Sequence, residues 1–219
     1  MNQNHGRDIP MKRTLLAAAL VALAGAAQAQ VSFTNDMGLG VKNREFNPAP
    51  SVGLADFAGP VQLGTVTSAY GIITFTYLGQ ESGFTDALGL QVAPFTSLLE
   101  TDVVGKSVSA SFGPGAVPFQ FVDSNGGTAV NGGLWSGNNS IGLIATNFSV
   151  TNVPVGSLLT MGQTFDLVIG YNDSGAAHDD WDDFVVGVNF APIPEPETYA
   201  LMLAGLGVMG FVARRRRAS

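Results

Sequence analysis

The stretch FDLVIGYNDSGAAHDDWDDFVVGVNF, residues 165–190, decides the fold of this chain. Each of its ends, residues 165–171 and 184–190, is short and rich in β-branched and aromatic residues, which is typical of a β-strand. The connection between them, residues 172–183, contains five aspartates. The stretch therefore predicts two strands joined by an acidic loop.

The chain before this stretch repeats the pattern of short strands and glycine-rich turns. Alternation is strictest in Ser107–Phe112, where Val108, Ala110 and Phe112 are predicted to face a core. Residues 96–104 favour a short helix or turn. Further predicted strands are 61–67, 73–77, 119–122 and 141–148, with turns at 113–115, 124–127 and 131–133. The sequence predicts an all-β fold, an antiparallel β-sandwich of jelly-roll type, rather than a solenoid, because no fixed repeat is present.

Residues 1–29 have the pattern of a secretory signal peptide with a signal helix. Lys12 and Arg13 precede the apolar run LLAAALVALAG, and AQA, ending at Ala29, suits signal peptidase. Met11 directly before this basic start is the more natural initiator than the residues ahead of it. We therefore expect signal peptidase to act on the chain and the β domain to be exported.

The predicted exported domain, residues 30–191, is strongly acidic. Residues 30–193 contain fourteen acidic and three basic residues, a net charge of −11. Nucleic acid is therefore an unlikely partner, since phosphate binding depends on clustered Lys and Arg. The chain has no cysteine, which excludes thiol catalysis and cysteine-ligated zinc.

The connection at residues 172–183 is the candidate binding loop of the body. Dense carboxylates repel one another unless they are solvated or share a cation such as Ca²⁺, which takes about six to eight oxygen ligands. Two interpretations stay open, a calcium site and a solvated acidic tip. The candidate ligands are Asp173, Asp179, Asp180, Asp182 and Asp183.

Two tryptophans and one histidine complete the candidate residues. Trp181 is expected to pack over the hairpin, and the alternative is a sugar-stacking platform shared with Trp135. His178 is the only histidine of the predicted exported domain and has no Gly-x-Ser-x-Gly nucleophile elbow to serve. No set of residues with matched catalytic roles is visible, so the sequence predicts that the protein is not an enzyme.

The C-terminal residues are organised as a short tail with three parts. Pro194, Glu195 and Pro196 lie in a linker, residues 192–197, that we expect to be extended and accessible to a protease. Residues 198–213 are uncharged and predict a transmembrane helix, although about 24 Å of helix is short for a hydrocarbon core of roughly 30 Å. Residues 214–219 form a basic cytoplasmic tail, in which the orienting charges are Arg214, Arg215, Arg216 and Arg217.

This order of Pro-Glu-Pro, apolar helix and arginine cluster closely resembles the PEP-CTERM sorting signal of Gram-negative bacteria. The same motif also carries the description "ice-binding protein C-terminal", although a sorting tail has no ice-binding surface. The resemblance covers about the last 26 residues. It implies processing by an exosortase, a membrane enzyme, and a link to exopolysaccharide and biofilm. The hairpin around Trp181 is similar to the final hairpin of many such exported proteins.

The sequence thus predicts an exported surface or matrix protein with a structural or adhesive role. It would pass through an inner-membrane-anchored intermediate and then reach the cell surface. The alternative is a module that binds calcium or polysaccharide through residues 172–183.

Overall fold

The computed structural model describes residues 31–34, 41–42, 61–93, 95–133, 139–173, 181–193 and 196–217. This part of the chain is mostly β-strand, with one helix at its C-terminal end. The strands are β1 (Val31–Thr34), β2 (Val41–Lys42), β3 (Val61–Leu63), β4 (Thr65–Ser68), β5 (Gly71–Gly79), β6 (Asp86–Leu90), β7 (Ser97–Leu99), β8 (Ser107–Phe112), β9 (Gly115–Ala116), β10 (Phe119–Asp123), β11 (Thr128–Val130), β12 (Ser140–Ser149), β13 (Thr164–Asn172) and β14 (Phe184–Pro192), and the helix is α1 (Pro196–Arg217).

The described strands form three sheets in which every pair is antiparallel. The largest sheet has the order β2-β3-β12-β13-β14-β5-β8, a second has β11-β10-β6-β7, and a third has β1-β4-β9. β14 lies between β13 and β5, with residues 184–188 paired to β13 and residues 185–192 paired to β5. The all-β class and the antiparallel pairing predicted from the sequence are confirmed.

One apolar cluster draws residues from all three sheets. Successive side chains on a strand point to opposite faces, so alternating residues of β13 enter this cluster, while Val168 enters a second, smaller one. The second cluster covers Val168 and the backbone of Trp181 covers Gly170, so residues 167–171 are all buried. The large cluster includes Val66, Phe75, Leu88, Phe119, Phe121, Ile169, Tyr171, Phe184 and Val186.

The segment in which polar and apolar residues alternate most strictly forms the predicted strand, whereas residues 96–104 do not form the predicted structure throughout. β8 has the predicted bounds, and Phe112 at its end is buried. The prediction of a short helix or turn at residues 96–104 is only half correct. Residues 97–99 form β7, because Leu98 is fully buried opposite Leu88, and a turn follows the strand.

The tail departs from its predicted layout. α1 begins at Pro196, two residues earlier than expected, because a proline at the first helical position has the right φ and lacks only an N–H that would be unpaired anyway. The helix then continues through Arg217. The signal peptide of residues 1–29 and the proposed initiator Met11 lie outside the described residues.

The prediction of a transmembrane helix at residues 198–213 is not supported. Within the part of the chain that the structure describes, no helix combines the length and the apolar character needed to cross a membrane.

Candidate functional site

Several strand ends meet at one end of the sheets. In an antiparallel pair, the end of one strand lies beside the start of its partner. Asn172 at the end of β13 pairs with Ser140 at the start of β12, and Asp123 at the end of β10 pairs with Asp86 at the start of β6. We call this region the acidic end and define it as Ser82, Asp86, Glu100, Asp123, Asn139, Tyr171, Asp173 and Asp183.

Asp123 is buried and accepts hydrogen bonds at both carboxylate oxygens. Oδ1 accepts the backbone N–H groups of Asn125 (2.8 Å) and Gly127 (2.9 Å), which fixes the turn after β10. Oδ2 accepts the side-chain amide of Asn139 (2.7 Å) and the hydroxyl of Tyr171 (3.0 Å). Burial raises the pKa of Asp123, but these hydrogen bonds outweigh it and hold the pKa below its usual value. Asp123 is therefore a stabilised anion.

Tyr171 and Asn139 connect this anion to the core. The Asn139 amide also donates to the Tyr171 hydroxyl, and the Tyr171 ring stacks on Phe121 with centroids 5.1 Å apart. Burial raises the pKa of Tyr171, so its hydroxyl remains a neutral donor. The polar network and the apolar core thus share one side chain.

Asp86 lies opposite Asp123 in the register of β6 and β10, but its environment differs. The residue is 0% exposed, and neither carboxylate oxygen has a hydrogen-bond partner among the residues that the structure describes. Burial, followed by the charges of Asp173, Glu100 and Asp123, raises the pKa of Asp86 to about 7. Asp86 is therefore a costly group in its ionised form.

The surroundings of Asp86 are fixed by polar contacts. The Ser82 hydroxyl lies near Asp86 and lowers its pKa, an effect second in size only to burial, and its hydrogen bond is donated to Oδ2 of Asp173 at 2.5 Å. Glu100 Oε2 accepts the backbone N–H of Asp86 at 3.0 Å, and the Glu100 N–H donates to the Asp86 carbonyl at 3.1 Å. The backbone N–H of Asp173 donates to Oδ2 of Asp183 at 2.8 Å. These contacts place several carboxylates around one buried position.

The predicted loop ligands are only partly described. Asp173, Asp182 and Asp183 are 5%, 0% and 9% exposed, so the expectation of a solvated tip does not hold for these three. Asp179 and Asp180 lie outside the described residues. Across the described segments, no three acidic or histidine side chains are grouped closely enough to form a metal centre by themselves.

Trp181 is a packing residue at the base of the loop. It is 1% exposed, its indole N–H donates to the Ser140 hydroxyl at 2.9 Å, and it packs with Val61 and Leu63. A buried ring leaves no face open to a sugar, so we do not retain the stacking interpretation of Trp181. Trp135 lies outside the described residues.

A pair of glycines makes room for this tryptophan. Gly142 and Gly170 face each other across β12 and β13. A Cβ at Gly142 would lie 2.8 Å from the indole Cδ1, and a Cβ at Gly170 would overlap with the Trp181 carbonyl oxygen. The backbone before β14 can therefore lie directly on these two strands.

The residues at the centre of the acidic end are far apart in the sequence and were not predicted as a site. A signal for Asp123 was present in DSNGG, since an aspartate at the start of a turn commonly accepts nearby backbone amides. A signal for Asp86 was present in DALGL, where alternation places it on the same face as Leu88 and Leu90. The overlooked residues are Ser82, Asp86, Asp123, Asn139 and Tyr171.

The tail presents a different kind of site. Pro194 and Glu195 lie outside the described residues, and Pro196 is the first residue of α1. Arg214, Arg215 and Arg216 are exposed at its C-terminal end, where cationic side chains interact favourably with the helix dipole. Arg217 is the last residue of the helix. The exposed apolar residues of α1 are Tyr199, Leu201, Met202, Leu203, Leu206, Val208, Met209 and Phe211.

An apolar helix that follows a proline-containing segment and ends in arginines defines the class of C-terminal sorting signals. Residues 192–217 match the family described as "PEP-CTERM protein-sorting motif". Comparison with curated proteins and with solved structures gives no significant match. The motif indicates an exported protein that is targeted to an exosortase and directed to the cell envelope or surface.

Proposed function

We propose that this protein is a non-catalytic surface or matrix component with a structural or adhesive role linked to exopolysaccharide and biofilm. The sorting motif at residues 192–217 carries the proposal, because it assigns the chain to export and exosortase processing. The acidic body supports it, because a large net charge keeps an exported protein soluble. The same charge would keep the contacts of the protein within the matrix hydrated. A signal peptide at residues 1–29, cut by signal peptidase, would start this route.

The body is proposed to be a β-sandwich in which the seven-stranded sheet packs against the smaller sheets. The apolar cluster shared by the three sheets supports this arrangement. β14 ends at Pro192, where the sorting motif begins. Processing within the motif would therefore leave the body complete, with its last strand in place.

The tail is proposed to keep the chain at the inner membrane until the exosortase acts. Its apolar side chains are more than half exposed on all sides of α1, and such a helix is stable only when an apolar environment covers it. The terminal arginines would remain at the lipid headgroups. Contact of the helix and its arginines with the membrane would retain the chain there as an intermediate before release.

Glu195 and Glu197 provide a matched pair for testing the sorting function, since both are glutamates of the motif. Tagged full-length chains with Glu195→Gln or Glu197→Gln are produced in a host that contains an exosortase, and cell fractions are probed for the cut and uncut forms. We expect the Glu195 variant to accumulate uncut at the membrane and the Glu197 variant to be processed like the wild type. Normal processing of the Glu195 variant would overturn its recognition role.

The same fractionation tests membrane retention and the adhesive role. Replacing the four terminal arginines with glutamate should reduce the membrane-bound fraction. In a strain that makes no exopolysaccharide, the wild-type chain should move from the sheared matrix fraction to the medium. A matrix fraction that is unchanged in that strain would contradict the proposed association.

The second candidate function is a module that binds calcium or polysaccharide through residues 172–183. The observation that favours it is the burial of Asp173, Asp182 and Asp183 at the base of that loop. Buried carboxylates are usually paired or coordinate cations. Changing Asp179 and Asp180 to Asn tests the loop directly, because loss of a calcium-dependent thermal shift in that variant would assign the ion to it.

A further inference from the structure

Asp86 is the most unusual polar residue in the described core. It is 0% exposed, and both of its oxygens are without a hydrogen-bond partner within the described ranges. An ionised carboxylate in such a position is unfavourable by several kcal/mol unless a positive group accompanies it. The residue therefore needs either a proton or a cation.

Asp86 lies in the middle of the acidic end, and its side chain faces the core. β6 alternates between buried and half-buried residues, and Asp86 has the same parity as the buried Leu88 and Leu90. Its opposite neighbour, Asp123, points to the same side of the sheet, since directly paired residues of antiparallel strands share a face. The carboxylate is thus directed into the space between the sheets.

The neighbours of Asp86 supply further oxygen atoms. The Ser82 hydroxyl donates to Oδ2 of Asp173 at 2.5 Å and also lies near Asp86, so one hydroxyl is close to both carboxylates. Asp173 directly follows β13, whereas Asp86 begins β6, so these oxygens come from two different sheets. Asp123 is already occupied by four hydrogen bonds and is not needed as a ligand.

The body offers little positive charge to balance these groups. Three basic residues accompany fourteen acidic ones between residues 30 and 193. One of the three, Lys106, forms an ion pair with Asp102 at 2.7 Å. A cation from outside the body would supply compensating charge for an ionised Asp86.

We propose that Asp86 and Asp173, with the Ser82 hydroxyl between them, bind a divalent cation of the Ca²⁺ type at the acidic end. Hard oxygen ligands suit Ca²⁺, which completes its shell of about six to eight oxygens with backbone carbonyls and water. Two carboxylates and one hydroxyl match the weaker class of extracellular sites, with dissociation constants on the order of 10⁻⁴–10⁻³ M. The ion links the second sheet to the end of β13. This site is distinct from the loop residues Asp179 and Asp180 and does not depend on the sorting function.

The test compares thermal unfolding of the full chain, purified in mild detergent, in chelator and in excess Ca²⁺. An ion that binds only the folded state at about ten times its dissociation constant should raise Tm by about 3–6 °C. Asp86→Asn keeps the shape and removes the charge, so we expect its Tm to be insensitive to Ca²⁺. Asp166→Asn is the matched control, because Asp166 is exposed near the opposite end of β13 and should retain the full shift.

Three results would overturn the site. One is a wild-type Tm that does not respond to millimolar Ca²⁺, which would leave a proton as the companion of Asp86. Another is a shift that persists in Asp86→Asn. The third is a shift that is lost in the Asp179→Asn/Asp180→Asn variant, which would place the ion in the loop. If Asp86→Asn does not fold, Asp86→Ser provides the same comparison, and calorimetric titration of the wild type with Ca²⁺ must then show saturable binding.

Discussion

Asp123 and Asp86 lie at the same end of the β6–β10 strand pair, and both are buried. Their carboxylates nevertheless have opposite hydrogen bonding and opposite pKa shifts. Asp123 accepts four hydrogen bonds, and its pKa is lowered. Asp86 accepts none from the described residues, and its pKa is raised to about 7. The difference shows that burial alone does not determine the state of a carboxylate, because the donors around it decide whether the charge is tolerated.

The comparison also separates a structural role from a binding role. A fully hydrogen-bonded carboxylate fixes the elements that supply its donors, here the turn after β10 and the strands β12 and β13. A carboxylate without donors stabilises nothing until a proton or a cation arrives. The acidic end therefore contains one group that builds the fold and one group that is available to a ligand.

Removing the Asp123 carboxylate should give the largest effect. Asp123→Ala leaves two backbone N–H groups, an amide and a hydroxyl without their acceptor, and each buried unsatisfied group costs about 1–3 kcal/mol. Some of these donors will reach water, so we expect a loss of about 3–5 kcal/mol in the free energy of unfolding. Urea denaturation of the full chain measures it. A loss below about 1 kcal/mol would show that the network does not hold the turn.

Asp86→Asn should change stability in the opposite direction when no divalent ion is present. A pKa raised from 3.8 to about 7 corresponds to about 4 kcal/mol of unfavourable free energy for the ionised form. The buried amide of asparagine cancels part of that gain, so we expect stabilisation of about 1–3 kcal/mol in chelator at pH about 8. Urea denaturation of the Asp86→Asn, Asp123→Ala and wild-type chains under the same conditions compares their free energies of unfolding.

The pH dependence of this difference is a stricter check. The folded pKa of Asp86 lies above its unfolded value, so its contribution to stability is complete below about pH 4 and is lost as pH rises to about 7. The groups that face it and act in the same direction are Asp173, Glu100 and Asp123. The advantage of the Asn variant should therefore grow across this window and then level off. An advantage that is constant between about pH 4 and 8 would refute the raised pKa.

Tyr171→Phe should give the smallest effect. It removes one donor to Asp123 and retains the ring that stacks on Phe121, so we expect a loss of about 1 kcal/mol. The pKa of Asp123 should rise, and acid unfolding should then begin at a higher pH because the stabilised anion is lost sooner. Tyr77→Phe is the control, since its hydroxyl donates to the Glu100 carbonyl and its loss should leave the Asp123 titration unchanged.

The strands could be predicted wherever apolar and polar residues alternate. Ser107–Phe112 gave β8 with its bounds, because serine alternates there with apolar side chains. β6 was missed, since DALGL contains a glycine, an alanine and an aspartate and has no β-branched residue. Its stability as a strand comes from pairing with β10 and β7, which no local pattern contains.

The candidate site was less predictable for a related reason. The aspartates of residues 172–183 attracted attention because they are adjacent in sequence. Asp86 and Asp123 are 37 positions apart and become neighbours only through the register of β6 and β10. The sorting motif is the opposite case, since its recognition elements are contiguous and were visible in the sequence.

The tail leaves the body from the end of β14, and this position fixes how force enters the fold. A pull transmitted from the tail would enter at Pro192, which is paired with Gly71 of β5, whereas the pairing of β14 with β13 ends at Val188. Where such a pull follows the strand axis, it would load the β14–β5 ladder in shear, so its hydrogen bonds would be strained together rather than opened one at a time.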